Sequence, residues 1–190
     1  MRVVPSILAL GLATLAVAAP VTPAAAQILP DQGAARAQLF DTRRTQVAIT
    51  RHPFMTEADI ATLQVLPEAA QLDYYGALAV DPAQGLQGAR ARGAFGFHAP
   101  EAARAAALAG CGRGCVVVAE IRPRDFQPGR PLTLSQDASR AVEGRALGRA
   151  GGTLAISATT GAWGMGENQA AAVAACTVAG GADCRPVVGR

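Results

Sequence analysis

The chain has 190 residues, 17 Lys and Arg against 14 Asp and Glu, and a formal net charge of +3. That length suits one domain around one core, and that charge is too weak to argue for nucleic acid as a partner. Every basic residue besides the 2 histidines is Arg, because the sequence contains no Lys.

The opening MRVVPSILALGLATLAVAAPVTPAAAQ reads as a signal peptide over residues 1–26. Arg2 supplies the positive start, Ile7 to Ala19 the short apolar run, and Ala24-Ala25-Ala26 the small residues that signal peptidase accepts. Cleavage is expected before Gln27, and the run is shorter than the roughly 20 residues of a membrane span. No later segment is long and apolar enough to span one. The expected compartment is periplasmic or secreted.

Residues 27–72 read as an N-terminal extension with one helix. Residues 27–42 are Ala- and Gln-rich, and Thr45 to Thr50 alternate as a short strand. Thr56 with Asp59 three positions on starts the helix, which carries Ile60, Leu63 and Leu66 on one face. Pro67 perturbs or ends it.

From Tyr75 the chain states one pattern twice. YGALAV is a small-residue strand, DPAQG a turn, and GAFGF (Gly93 to Phe97) a returning strand. Pro100 opens an Ala-rich helix that Gly110 can stop, and Cys115 starts the buried strand CVVVAEI. The second pass runs GTLAIS, ATTG, AWGMG, ENQAAAVAAC and CRPVVGR. Leu154 answers Leu78, Gly161-Ala162-Trp163-Gly164 answers Gly93-Ala94-Phe95-Gly96, and Cys176 and Cys184 answer Cys111 and Cys115. Pro186 removes a ladder donor, so the last strand belongs at an edge. Between the passes, residues 123–150 predict a strand-helix insert, with Ser135 as cap, Ala138, Val142 and Ala146 on one face, and Gly148 as the stop.

These elements predict an α+β fold over residues 73–190. It is an antiparallel sheet built from two pseudo-symmetric strand-strand-helix-strand halves, 75–122 and 151–190, with helices packed on it. A Gly beside an aromatic in a strand allows close backbone approach, with Phe95 and Trp163 covering the missing side chains. A ligand platform on those two rings is the competing reading.

The paired order of GALAV, GAFG, an Ala-rich helix ending in Cys and then CVVV resembles the bacterial "domain of unknown function 4189" family of small exported proteins with two such half-repeats. The resemblance covers Tyr75 to Val188, with the 123–150 insert as a departure. It implies a compartment and a fold, and no catalytic residues.

Four cysteines in an exported chain read as two disulfides. Loop entropy alone favours a crossed pairing between the halves, at about 4 kcal/mol against about 2 kcal/mol for a short local loop. Geometry favours Cys111–Cys115 and Cys176–Cys184, since each pair joins a helix end to the next strand's start. A zinc site is the alternative, but C-x7-C is a poor second half. A redox pair needs C-x-x-C at a helix start, and here the helix precedes C-x3-C.

Few side chains in the sequence can carry catalysis. Without Lys there is no Schiff base for pyridoxal phosphate and no P-loop. A 5-aminolevulinate synthase activity, a name sometimes attached to short exported sequences of this kind, is therefore not supported. His52 and His98 are the imidazoles, and a Ser157, His98 and Asp81 triad is the catalytic candidate. Against it, Asp81 before Pro82 is a turn former and Ser157 ends a strand. Glu101 and Glu167 suit helix starts. The Arg-dense stretch from Arg122 to Arg149 can hold an anion or be plain surface.

No cofactor and no metal is implied. The expected function is a non-enzymatic binding or envelope-interaction module, whose partner is an envelope or extracellular protein or an anionic ligand. The alternatives are a small extracytoplasmic hydrolase-like enzyme using His98, or an inhibitor-like protein presenting the loop from Leu86 to Arg92.

Overall fold

A computed structural model of the chain describes residues 28–149 and 152–189. The expected signal peptide, 1–26, lies outside the described residues. The N-terminal segment contributes helix α1 (Gln32–Arg36), strand β1 (Thr45–Ile49) and helix α2 (Glu57–Ala69). The Thr56 hydroxyl accepts from the Asp59 N–H at 3.1 Å while Asp59 Oδ2 accepts from the Thr56 N–H at 2.9 Å, so α2 opens on a full capping box. Pro67 does not end α2. It sits buried in the last turn, where its missing N–H forgoes one helical bond.

The first half comprises β2 (Gly76–Val80), β3 (Arg92–Ala94), α3 (Pro100–Cys111) and β4 (Val116–Pro123). These strands and β1 form an antiparallel sheet in the order β1-β4-β2-β3. So β1 is part of the sheet, its register running from Thr45 opposite Pro123 to Ile49 opposite Ala119. Alternation along β2 sorts the layers. Ala77 and Ala79 face Ala103 and Ala107 of α3, and small residues on both sides allow close approach. Leu78 and Val80 face the opposite way, towards Leu63 and Leu66 of α2.

The second half comprises β5 (Thr153–Ser157), β6 (Trp163–Gly166), α6 (Gln169–Val178) and β7 (Cys184–Val188). These strands form their own antiparallel sheet, in the order β6-β5-β7. The strands of the α+β fold are thus divided between two sheets. Ala155 faces Ala172 and Cys176 of α6, and Leu154 and Ile156 face the insert. The central strands β2 and β5 each break register against their third strand after the Leu, at Leu78/Ala79 and Leu154/Ala155. As the sequence leads one to expect, Pro186 lies on an edge strand.

The insert supplies α4 (Gln136–Glu143) and α5 (Ala146–Arg149). Ser135 caps α4, its hydroxyl accepting from the Ala138 N–H at 3.4 Å. Two details differ from expectation. Residues 131–134 form no strand, and Leu132 and Leu134 are buried in the core beneath β5 and β7. Alternation records burial of one side of an extended segment and names no pairing partner. Helix α4 stops at Gly144 and not at Gly148, because the earlier glycine already serves as the cap.

The halves meet where Gly161 approaches Gly96. A Cβ on Gly161 would stand 2.7 Å from the Gly96 carbonyl oxygen, and Gly161 has φ +75°, so only glycine fits there. Aromatic rings fill the adjoining junction, with Tyr75 and Phe40 each 5.8 Å from the Phe126 ring.

Candidate functional site

His98 enters the junction from the loop before α3. Its side chain is 2 % exposed. The Ser135 N–H donates to Nδ1 at 3.0 Å, and Nε2 lies 3.1 Å from the Ala162 carbonyl oxygen. An N–H can only donate, so Nδ1 is the acceptor and Nε2 carries the proton. Burial pushes the His98 pKa below its ordinary value. The Ala162 and Gly161 carbonyls and Asp183 oppose that push without overcoming it. The ring is therefore neutral, and it joins the first half, the insert and the second half.

The three residues of the candidate triad are bonded elsewhere. Ser157 is fully buried and donates its hydroxyl proton to Asp183 Oδ1. The Thr160 hydroxyl donates to Ser157 Oγ at 2.8 Å, and the Thr159 hydroxyl donates to Asp183 Oδ1 at 2.9 Å. The Ser157 hydroxyl first, and then the Thr159 hydroxyl, hold the Asp183 carboxyl below its usual range. Asp81 caps its own turn through the Ala83 N–H at 3.0 Å and pairs with Arg90 at 2.7 Å. Arg90 also donates to the Cys111 and Arg113 carbonyls, which ties the β2–β3 loop to the end of α3. Leu86 and Ala91 pack that loop onto the core.

Cys111 is joined to Cys115 and Cys176 to Cys184, each pair with Cα atoms 6.0 Å apart. No cysteine is left free to act as a metal ligand or redox thiolate. Among the described residues, no cluster of three or more His, Cys, Asp and Glu is placed to hold a metal. His52 is occupied as well, with Nε2 3.0 Å from the Val117 carbonyl oxygen and its ring stacked on Phe54.

Three arginines of the Arg-dense stretch are engaged within the fold, while Arg124 and Arg145 are exposed. Arg122 pairs with Glu120 at 3.0 Å and lies over Phe126, and Glu120 also takes Arg104 at 3.1 Å. Arg130 lies over Phe40 and donates to the Gln38 and Leu39 carbonyls. Arg140 pairs with Asp137 and Asp73. Phe95 and Trp163 make no common platform. Phe95 covers Gly76 and Gly93, and Trp163 packs against the core around β5.

Above His98 lies a cleft of about 470 Å³. The segment Ile28 to Pro30 forms one wall and Pro131 to Thr133 another. The third wall is the end of β5, at Ile156 and Ala158, with Arg185 to Val187 of β7. Gln38, Thr133 and Arg185 are its polar groups besides His98. Its size falls in the range of sites that enclose small ligands, about 300–1,000 Å³. The lining comes from six separated stretches of chain, so no local motif marks the site. Comparisons with family models, with curated proteins and with solved structures returned no match to this chain.

Proposed function

We propose that this protein is an exported, disulfide-stapled module that holds a ligand in the cleft above His98 without transforming it. The observation that carries this reading is the pairing of an apolar cleft with an imidazole whose two nitrogens are both engaged by backbone. A general base must have a nitrogen free to take a proton, and a nucleophile must lie within reach of it. Two local disulfides in a chain of this size support an oxidising compartment, in keeping with periplasmic or secreted location and cleavage before Gln27. Among the described residues, no helix is long and apolar enough to cross a membrane. The equal strand order of the two halves, with a register break at the matching Leu, supports an internal duplication and the resemblance to the "domain of unknown function 4189" family.

One preparation tests the reading. Protein recovered from its own envelope should begin at Gln27 by N-terminal sequencing. Native mass spectrometry should show a bound small molecule, which is lost from an Ala158→Phe variant that fills the cleft. Hydrolytic turnover abolished by Ser157→Ala would replace this reading with an enzymatic one.

A further inference from the structure

We infer that the cleft takes a small apolar monocarboxylate, with its hydrocarbon body between the apolar walls and its carboxylate on Arg185. This inference rests on the reading of the cleft as a binding site. Among the described residues, no Asp or Glu lines the cleft, and Arg185 is its single cation. His98 adds no charge, because it is neutral with both nitrogens bonded. A bound cation would meet Arg185 with no compensating acid. A dianion would find only one guanidinium.

Arg185 is also uncommitted. Among the described residues it makes no ion pair and no side-chain hydrogen bond, and its residue is exposed at the rim. Asp183, the acid nearest in sequence, is occupied by Ser157 and Thr159. The contrast with Arg130, next to the opposite wall, is direct, since Arg130 spends its guanidinium on two backbone carbonyls and the Phe40 ring. A planar guanidinium with free N–H groups at the mouth of an apolar cleft fits a carboxylate in a two-point contact. Thr133, half-buried in the facing wall, offers one further hydroxyl.

The walls suit an apolar body. Leu29, Leu132, Ile156 and Val187 present hydrocarbon, and Pro131 and Pro186 have fixed φ. A wall that is already ordered loses little entropy when the ligand arrives. Leu132, Ile156 and Val187 belong to the same core cluster against which Trp163 packs, and Trp163 is the only tryptophan of the chain. Trp163 does not line the cleft but packs against wall residues that do, so its emission is the expected optical readout, with heat as the independent one.

The test titrates decanoate and decan-1-ol into protein from the expressed full chain, reading Trp163 emission and heat. Decanoate should bind saturably. Arg185→Gln should weaken it about tenfold or more, the loss of a charge-assisted contact, and leave decan-1-ol unchanged. Ala158→Phe should abolish binding of both, with circular dichroism confirming that the variant is folded. Arg185→Gln lies on an exposed edge position, so it serves if Ala158→Phe does not fold. Equal binding of decanoate and decan-1-ol would overturn the carboxylate and leave the cleft as an apolar site. Failure of both to bind would overturn the cleft reading as well. Tighter binding of a short apolar peptide with a free C-terminal carboxylate, lost in its amide, would replace the small molecule by a chain terminus.

Discussion

His98 accepts at one ring nitrogen and donates at the other, and that polarity makes its charge state a structural matter. Protonation of Nδ1 would set an N–H against the Ser135 N–H, two donors face to face in a buried site. Burial already holds the folded pKa below the ordinary 6.5. The unfolded chain then binds more protons than the folded one once the pH drops under 6.5. The His98 contribution is therefore complete above 6.5 and is lost as the pH falls through the lower folded value. Asp73, whose carboxyl is raised by burial, acts in the opposite sense, but only near the carboxylate range. The melting temperature of the wild type should fall between pH 7.5 and pH 5. His98→Phe should cost about 2–4 kcal/mol at pH 7.5, from two buried backbone groups left without partners. The variant should also lose the slope in that window. An unchanged slope would assign it to another group. The sequence shows a histidine before a helix, but the Ser135 and Ala162 backbone groups that fix its role are 37 and 64 residues away. Asp183, the partner of Ser157, lies 26 residues from it and carries no spacing signal.

At the scale of elements, the repeated Gly-Ala-aromatic-Gly is built differently in the two halves. In the first, the Phe95 ring lies across Gly76 and Gly93, as an aromatic beside strand glycines is expected to. In the second, Trp163 turns to the core, and helix α6 itself covers the glycines. A Cβ on Gly164 would fall within 3.0 Å of the Cys176 nitrogen and the Ala175 carbonyl carbon, both helix backbone. The two collisions differ in what must yield. A side-chain ring can rotate away, whereas displacing α6 strains the Cys176–Cys184 connection and the whole Ala155 and Ala172 contact. Gly164→Ala should therefore cost about 2–3 kcal/mol as an overpacked interface, and Gly76→Ala distinctly less, measured as the shift in urea midpoint at constant slope. Equal costs would mean that α6 rides loosely on β6. The sequence carries the strands, the helices and the Thr56 and Ser135 caps, because each depends on near neighbours. What covers a glycine depends on which element packs over it, and the same four-residue phrase admits both answers.

For the whole molecule the question is what holds two sheets together, since the disulfides do not cross between them. The structure answers with polar clasps onto the insert. Gln32 and Arg36 of α1 donate to the Val142 and Gly144 carbonyls at the end of α4, and Gln136 donates to the Thr42 carbonyl while accepting from the Tyr74 N–H. The N-terminal segment is thus part of the cleft wall and of the clasp. A reading by adjacent elements treats it as an extension, because contacts over a hundred residues leave no periodicity behind. Each disulfide closes a short loop inside one half, with sequence separations of 4 and 8, worth roughly 2–3 kcal/mol apiece. Tryptic mapping without reductant distinguishes this from cross-linking in one experiment. Arg122, Arg130 and Arg185 each precede Pro and resist trypsin, while Arg104, Arg113, Arg124, Arg140, Arg145 and Arg149 do not. Local pairing places Cys111 and Cys115 in two peptides, 105–113 and 114–124, held together only by their bond. It places Cys176 and Cys184 in one peptide, 150–190, lighter than its reduced form by two hydrogens. Crossed pairing in either sense would gather all three peptides into a single species. Recovery of 150–190 joined to either first-half peptide would sink the local staples, and with them the view that the halves are held to each other without a covalent link, by packing, the polar clasps and the His98 junction.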